Sequence, residues 1–289
     1  EGQAIRSLRA LARRVEPAPE GSGRFLVTNT DIHAYEGPVD VVLDLPIRSA
    51  EPGRILDSEI FDAPLAFFPP GSGIAAITDP EGRAIPFQEV RREERIEQWT
   101  SRIEVPLAVH VERLHLACAV SLPPAGFVAL DARVGAPSAA PPSLARERFI
   151  ENDLLRIDAN DDGTINVRDK RSGASYLHLL ELEDVGDVGD EYNFCPPEND
   201  ARITTLGQRA RAVEVTAAGP LRSAMRVATT LQAPVSATLD RKGRSPQRVP
   251  IDVTIDLELS QGSPVVSCRL EVENRGSDHR LRVLFPTGV

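Results

Sequence analysis

The sequence predicts an all-β chain: a small β-sandwich followed by part of a larger one, led in by one short helix. Three observations carry this reading. From Arg24 onward apolar residues recur with period two, the spacing of half-buried strands. Clusters of Pro, Gly, Asp and Asn punctuate those runs, as antiparallel connections require. Past residue 16, nothing has the 3.6-residue period of a long helix.

In order along the chain, residues 1–16 place Ile5, Leu8, Leu11, Ala12 and Val15 on one helical face, and Pro17 and Pro19 end the run. Residues 24–131 hold the runs "RFLVTN", "VDVVLDLP", "RIEVPLAVHVERLHLACAV" and "GFVALDA", the strands of the smaller sandwich. In the third run Ile103, Val105, Leu107, Val109 and Val111 share one parity, and Leu114, Leu116, Cys118 and Val120 share the other. That switch at Glu112–Arg113 predicts a bulge or a tight turn. Residues 132–146, opening "ARVGAPSAAPPSL", have little to bury and read as a linker. The larger sandwich spans 147–289. There Leu155, Ile157 and Ala159 pair by pattern with Ile165 and Val167 across Asn160–Gly163. Met225, Val227 and Leu231 share a face, as do Ile251, Val253, Ile255, Leu257 and Leu259, with acidic and hydroxyl residues between the last five. Val266, Cys268, Leu270 and Val272 follow, then Leu281, Val283 and Phe285.

Bulk properties narrow the function classes. A length of 289 residues favours two domains. The net charge of −10 argues against nucleic acid or an anionic membrane as partner, since both need clustered Lys and Arg. No run approaches the ~18 apolar residues of a membrane helix. Cys118, Cys195 and Cys268 are dispersed and form no C-x-x-C pair, which fits a reducing, cytoplasmic compartment. The sequence opens without Met and stops at "RVLFPTGV", and reads as a fragment of something longer.

Candidate sites are few. Asp158–Asp169, "DANDDGTINVRD", has the oxygen spacing of an EF-hand calcium loop, but both flanks alternate with period two. A hairpin turn accounts for the same residues. The five histidines form no metal motif, and no nucleophile elbow or phosphate loop is present. The run Glu183–Pro197, "EDVGDVGDEYNFCPP", mixes carboxylates, two glycines, Tyr192 and Phe194 between strands. Aromatic faces beside carboxylates suit a sugar, and loops on rigid β scaffolds carry function. The competing reading is an acidic solvated turn with Phe194 in the core.

Three segments in order, "ENDLLRIDANDDGTINVRDKRSG", "GDVGDEYNFCPP" and "VENRGSDHRLRVLFPTG", resemble the C-terminal β region of glycoside hydrolase family 38 α-mannosidases, nearest the bacterial branch with mannosylglycerate-type hydrolases. The resemblance covers Phe149–Val289 most fully. It makes residues 24–131 the smaller β domain and the opening helix the last of a three-helix bundle. It implies a zinc-dependent, retaining α-mannosidase parent acting on mannose-containing saccharides. Nucleophile and zinc ligands would lie on a catalytic barrel outside this chain, so no catalytic or metal-ligating residue is expected here and the fragment alone would be inert. The residue the resemblance carries over is Tyr192, reaching a sugar subsite, with Asp190, Glu191 and Asn193 as neighbours. Cys195 departs from the expected small polar residue. A surface normally covered by the barrel would favour homo-oligomers. Two other classes compete: a carbohydrate-binding sandwich without catalysis, and a calcium-stabilised structural β-protein. Asp278 with Arg280 or Arg282 is expected to brace a turn.

Overall fold

Period-two alternation becomes antiparallel strands throughout the computed structural model, which describes residues 22–49, 67–100, 106–136, 148–190 and 192–288. No helix occurs among the described residues. The helix expected over 1–16 lies outside them, as does Glu191. The chain divides into two compact units, Glu1–Pro141 and Pro142–Val289.

In the first unit, one sheet holds β1 (Ser22–Thr28), β6 (Phe127–Gly135) and β3 (Gly73–Thr78) in that order. The other holds β2 (Tyr35–Ser49), β5 (Pro106–Leu122) and β4 (Phe87–Thr100). Their inner faces meet in a core that includes Val41, Ile74, Ile77, Leu114, Leu116, Val120 and Leu130. β6 runs to Gly135, so the stretch read as a linker begins as strand. The parity switch at Glu112–Arg113 is not a break in β5, which stays a continuous strand. Each half simply buries a different face: Leu107, Val109 and Val111 form their own small cluster with Trp99, while Leu114 onward enters the main core. Register shifts fall on the neighbouring strands instead: on β2 between Pro46 and Arg48, opposite Val111 and His110, and on β4 between Glu89 and Arg91, opposite Leu116 and His115.

The second unit has three sheets. β7 (Phe149–Glu151), β8 (Leu155–Ala159), β9 (Ile165–Asp169) and β10 (Ser175–Leu179) form a meander of order β10-β9-β8-β7. β12 (Ile203–Thr204), β11 (Glu181–Gly186) and β17 (His279–Leu284) form the second, with β11 central. β13 (Ala212–Ala217), β14 (Arg222–Pro234), β15 (Arg248–Ser260) and β16 (Val266–Glu273) form the third in chain order. The expected pairing across Asn160–Gly163 is present, with Ile157 opposite Val167 and Ala159 opposite Ile165. Gly163 turns it at φ +84°, a left-handed conformation that favours glycine.

Alternation along β15 is what builds the core. Ile251, Val253, Ile255, Leu257 and Leu259 are buried against Met225, Val227 and Leu231 of β14 and Leu155, Ile157 and Leu182 from the facing layers. Each such side chain contributes about 1.5–3 kcal/mol by leaving water. On the edge strand β16 the residues opposite them, Cys268 and Val272, remain exposed. Phe285, expected on the face of Leu281 and Val283, lies just past β17 and is largely exposed.

Ile255→Ala would therefore cost about 2–5 kcal/mol through lost burial and an unfilled cavity. Urea denaturation followed by tryptophan-independent circular dichroism measures it. A loss below about 1 kcal/mol would mean the β14–β15 face is not the core of this unit.

Candidate functional site

The run Glu183–Pro197 leaves the centre of the second unit. Leu182 of β11 points into the core, and Asp184, two residues on and so on the same face, is 0% exposed. An isolated carboxylate there would cost several kcal/mol in lost hydration. It is not isolated. Arg244 Nη2 donates to its Oδ1, and His279 Nδ1, at the start of β17, donates to its Oδ2. Arg244 Nη1 lies 3.7 Å from Asp200 Oδ1, and Asp200 Oδ2 accepts from the Gly186 amide at 2.9 Å. On the other face of β11, Glu181 and Glu183 are both buried; Arg202 pairs with both and Arg282 with Glu183. β11 is thus clamped on both faces before the loop begins.

Close packing requires both glycines of the loop. A Cβ on Gly186 would sit 2.8 Å from Pro197 Cγ, and one on Gly189 would collide with the Asn193 carbonyl oxygen. The acids then serve the loop's own backbone. Asp187 Oδ1 accepts from the amides of Gly189 (2.9 Å) and Cys195 (3.0 Å), and Val188 N donates to Cys195 O (2.8 Å). Asp190 Oδ1 accepts from the amides of Tyr192 (2.9 Å) and Asn193 (2.8 Å). Such Asx turns are a standard use of aspartate ahead of irregular backbone. The amides of Cys195 and Gly189, with Arg280 and Arg241 nearby, hold the Asp187 carboxyl below its usual range. The amides of Tyr192 and Asn193 do the same for Asp190.

Two arginines fasten the loop from outside. Arg241 Nη2 donates to Val188 O at 2.6 Å, and the Arg280 guanidinium stacks 3.3 Å from the centroid of the Phe194 ring. Phe194 is therefore not in the core, as one reading of the sequence had it, but half-exposed beneath a cation. Asp278 accepts from the Ala237 amide at 3.2 Å through its carboxylate, and its carbonyl accepts from Asp187 N at 2.9 Å. It braces the turn through these bonds and a 4.0 Å approach to Arg241, rather than through Arg280 or Arg282.

The result is a fixed loop that presents Tyr192, 90% exposed, with Asn193 and Asp190 beside it. Sequence reasoning picked out this tip but missed what holds it: Asp184, Asp187, Arg241, Arg244, His279 and, in its stacking role, Arg280. The repeat of Asp two residues before Gly or Tyr was a legible signal for the Asx turns. No local signal marked Arg244 or His279.

Asp158–Asp169 is a hairpin turn. Asp158 pairs with Arg156, Asp161 with Arg148 and Asp169 with Arg171, while Asp162 accepts from Thr164 and the Gly207 amide. Among the described residues no group of three or more His, Cys, Asp or Glu side chains is placed to hold a metal ion. Nor, among them, is any helix long and apolar enough to cross a membrane.

No family model matches the chain. It is 31% identical over 151 residues to a protein of Halalkalibacterium halodurans described as "Putative mannosylglycerate hydrolase", a match covering 47% of this chain and 17% of that protein. In fold it is similar to the crystal structure of an α-mannosidase from Enterococcus faecalis, with a TM-score of 0.77, 23% identity, and coverage of 99% of this chain and 34% of that one. A structure of a glycosyl hydrolase family 38 protein from the same organism matches with the same TM-score and identity, over 35% of its length. The chain thus spans about a third of the solved structures it matches, and has their fold over that third.

Because both loop carboxyls titrate lower here than in an unfolded chain, where Asp titrates near ~3.9, their charge stabilises the loop above that pH. The contribution is lost as pH falls through the depressed folded values. NMR amide shifts of Gly189, Cys195, Tyr192 and Asn193 should hold from neutrality to about pH 4 and move together below it. A common midpoint above about 4.5 would contradict the loop's hydrogen-bond pattern.

Proposed function

We propose that this chain is the β region of a family 38 glycoside hydrolase that cleaves α-mannosides, and that its Tyr192 loop completes the wall of a sugar site built mainly elsewhere in the protein. The observation that carries the reading is the fold match over 99% of the chain to the α-mannosidase structure. The sequence identity to the mannosylglycerate hydrolase adds to it. Hydrolysis of a glycoside needs two carboxyl groups flanking the bond and stabilisation of an oxocarbenium-like transition state. In this reading that machinery lies on a separate catalytic barrel. The zinc implied by the resemblance finds no fitting donor set among the described residues, and no step through it is assigned to them.

What the chain contributes is position. The phenol of Tyr192 and the amide of Asn193 are displayed on a backbone already fixed by Asp187 and Asp190. A prearranged contact of this kind costs little ordering on binding and can be expressed in rate. Asp190 has one carboxylate oxygen occupied by the loop, so it acts chiefly by holding Tyr192 and Asn193 in place.

The full-length protein is expected to hydrolyse 4-nitrophenyl α-mannoside, and absence of any α-mannoside hydrolysis would end the proposal. Tyr192→Phe in that protein removes one hydroxyl contact of about 1–3 kcal/mol, a loss of roughly five- to 150-fold in kcat/KM without loss of fold. Wild-type kcat/KM in that variant would remove Tyr192 from the site.

A further inference from the structure

We propose that the shallow groove formed by the loop between β14 and β15, residues 235–247, together with Asn199 is a second saccharide subsite, taking a neutral sugar ring next to the one beside Tyr192. The proposal rests on the reading of the chain as part of a saccharide hydrolase. The groove is open to solvent and offers about 740 Å³, room for a sugar ring lying on its surface.

Its floor is a fixed surface. The loop continues the β14–β15 ladder as a hairpin: Val235 N donates to Gln247 O (2.8 Å), Ser245 N to Ser236 O (2.9 Å) and Thr238 N to Gly243 O (2.9 Å). Asn199 forms the wall on the side of the acidic loop, fastened by its amide to Lys242 O at 2.8 Å and bridged in parallel to Gly243. Arg241, from the same hairpin, holds Val188 O. Groove and Tyr192 loop are therefore one hydrogen-bonded platform.

The chemistry of the lining selects the ligand. The side-chain amides of Asn199 and Gln247 are exposed and make no hydrogen bond among the described residues. Each offers a donor and an acceptor, the pairing that adjacent sugar hydroxyls match. Leu239 is fully exposed at the hairpin tip, an apolar face with nothing of its own to cover and suited to the C–H side of a pyranose. The charges are balanced and already in use. Asp240 Oδ1 accepts from Thr238 Oγ1 at 2.6 Å and from the Lys242 amide at 3.1 Å, and Lys242 Nζ lies 3.6 Å from Glu198. A phosphate or a nucleic acid would meet Asp240 without an unpaired cation to offset it. A neutral, hydroxyl-dense ligand meets no such cost.

The test is NMR titration of the ¹⁵N-labelled protein with α-1,2-mannobiose, following the side-chain amide signals of Asn199 and Gln247. Saturable shifts are expected at both, with apparent affinity reduced about tenfold or more in an Asn199→Ala/Gln247→Ala double variant, read at the Thr238 and Gly243 backbone amides. Unchanged spectra elsewhere show that the variant is folded. No shift up to the solubility limit of the disaccharide overturns the subsite. So do equal shifts with glycerol at matched concentration, or an unweakened titration in the double variant. The outcome is separable from hydrolysis: a groove that titrates in a protein inert toward mannosides leaves the subsite standing without the enzyme, and an active enzyme whose groove stays silent does the reverse.

Discussion

The burial of Asp184 is the constraint on which the rest of the second unit's site depends. A fully desolvated carboxylate must be matched, and the two groups that match it come from the hairpin after β14 and from β17. Removing one partner of such a cluster commonly costs about 3–5 kcal/mol because the remaining charge stays buried. The same contacts fix where three irregular segments meet. Arg244 brings the 235–247 hairpin against Gly186, His279 sets the start of β17, and Asp200 returns the far end of the acidic loop to its beginning. Core alternation on β11 therefore ends in a polar knot rather than in solvent, and the loop grows from that knot.

What looks from composition like an acidic surface is largely internal scaffolding. Asp187 and Asp190 spend their oxygens on backbone amides, Glu181 and Glu183 on arginines, and Asp278 on the neighbouring hairpin. The solvent-facing members of this set contribute little energy one by one. Their value is geometric, since together they remove the freedom of a segment without regular structure. Among the exposed side chains left over are Tyr192 and Asn193 on the loop, Asn199 beyond it, and Leu239 and Gln247 on the adjoining hairpin, apolar faces and uncharged amides set among the charges of Glu198, Asp240 and Lys242.

Much of this was legible in the sequence because period-two patterning is local. Ile251 to Leu259 announce their strand and its buried face, and the Asp-Asp-Gly turn before Ile165 sets its own hairpin. The flanks of Asp158–Asp169 announce a hairpin, and the segment does join β8 to β9, with Arg156, Arg148 and Arg171 pairing with three of its carboxylates. The parity switch at Glu112–Arg113 marks a change of buried face, but the bulge or turn it predicts is absent from the continuous strand β5. The register shifts sit on the neighbouring strands β2 and β4, which the pattern of one strand cannot show. The least legible feature was the Asp184 cluster. Its partners stand 60 and 95 residues away, and neither Arg244 nor His279 sits in a pattern that distinguishes it from any surface cation. Phe194 is illegible for a similar reason: an aromatic in an acidic loop reads as core until Arg280, 86 residues on, is seen to cover it.

Hydrogen exchange on an Asp184→Ala variant tests this account most directly. The central claim is that Asp184 organises the loop platform while the β14–β15 core stands largely on its own burial. Protection should fall selectively at the amides of Asp187, Val188, Cys195 and Asn199, with β15 amides retaining slow exchange. Unchanged protection in the loop would contradict the claim, and so would a uniform loss across the whole unit.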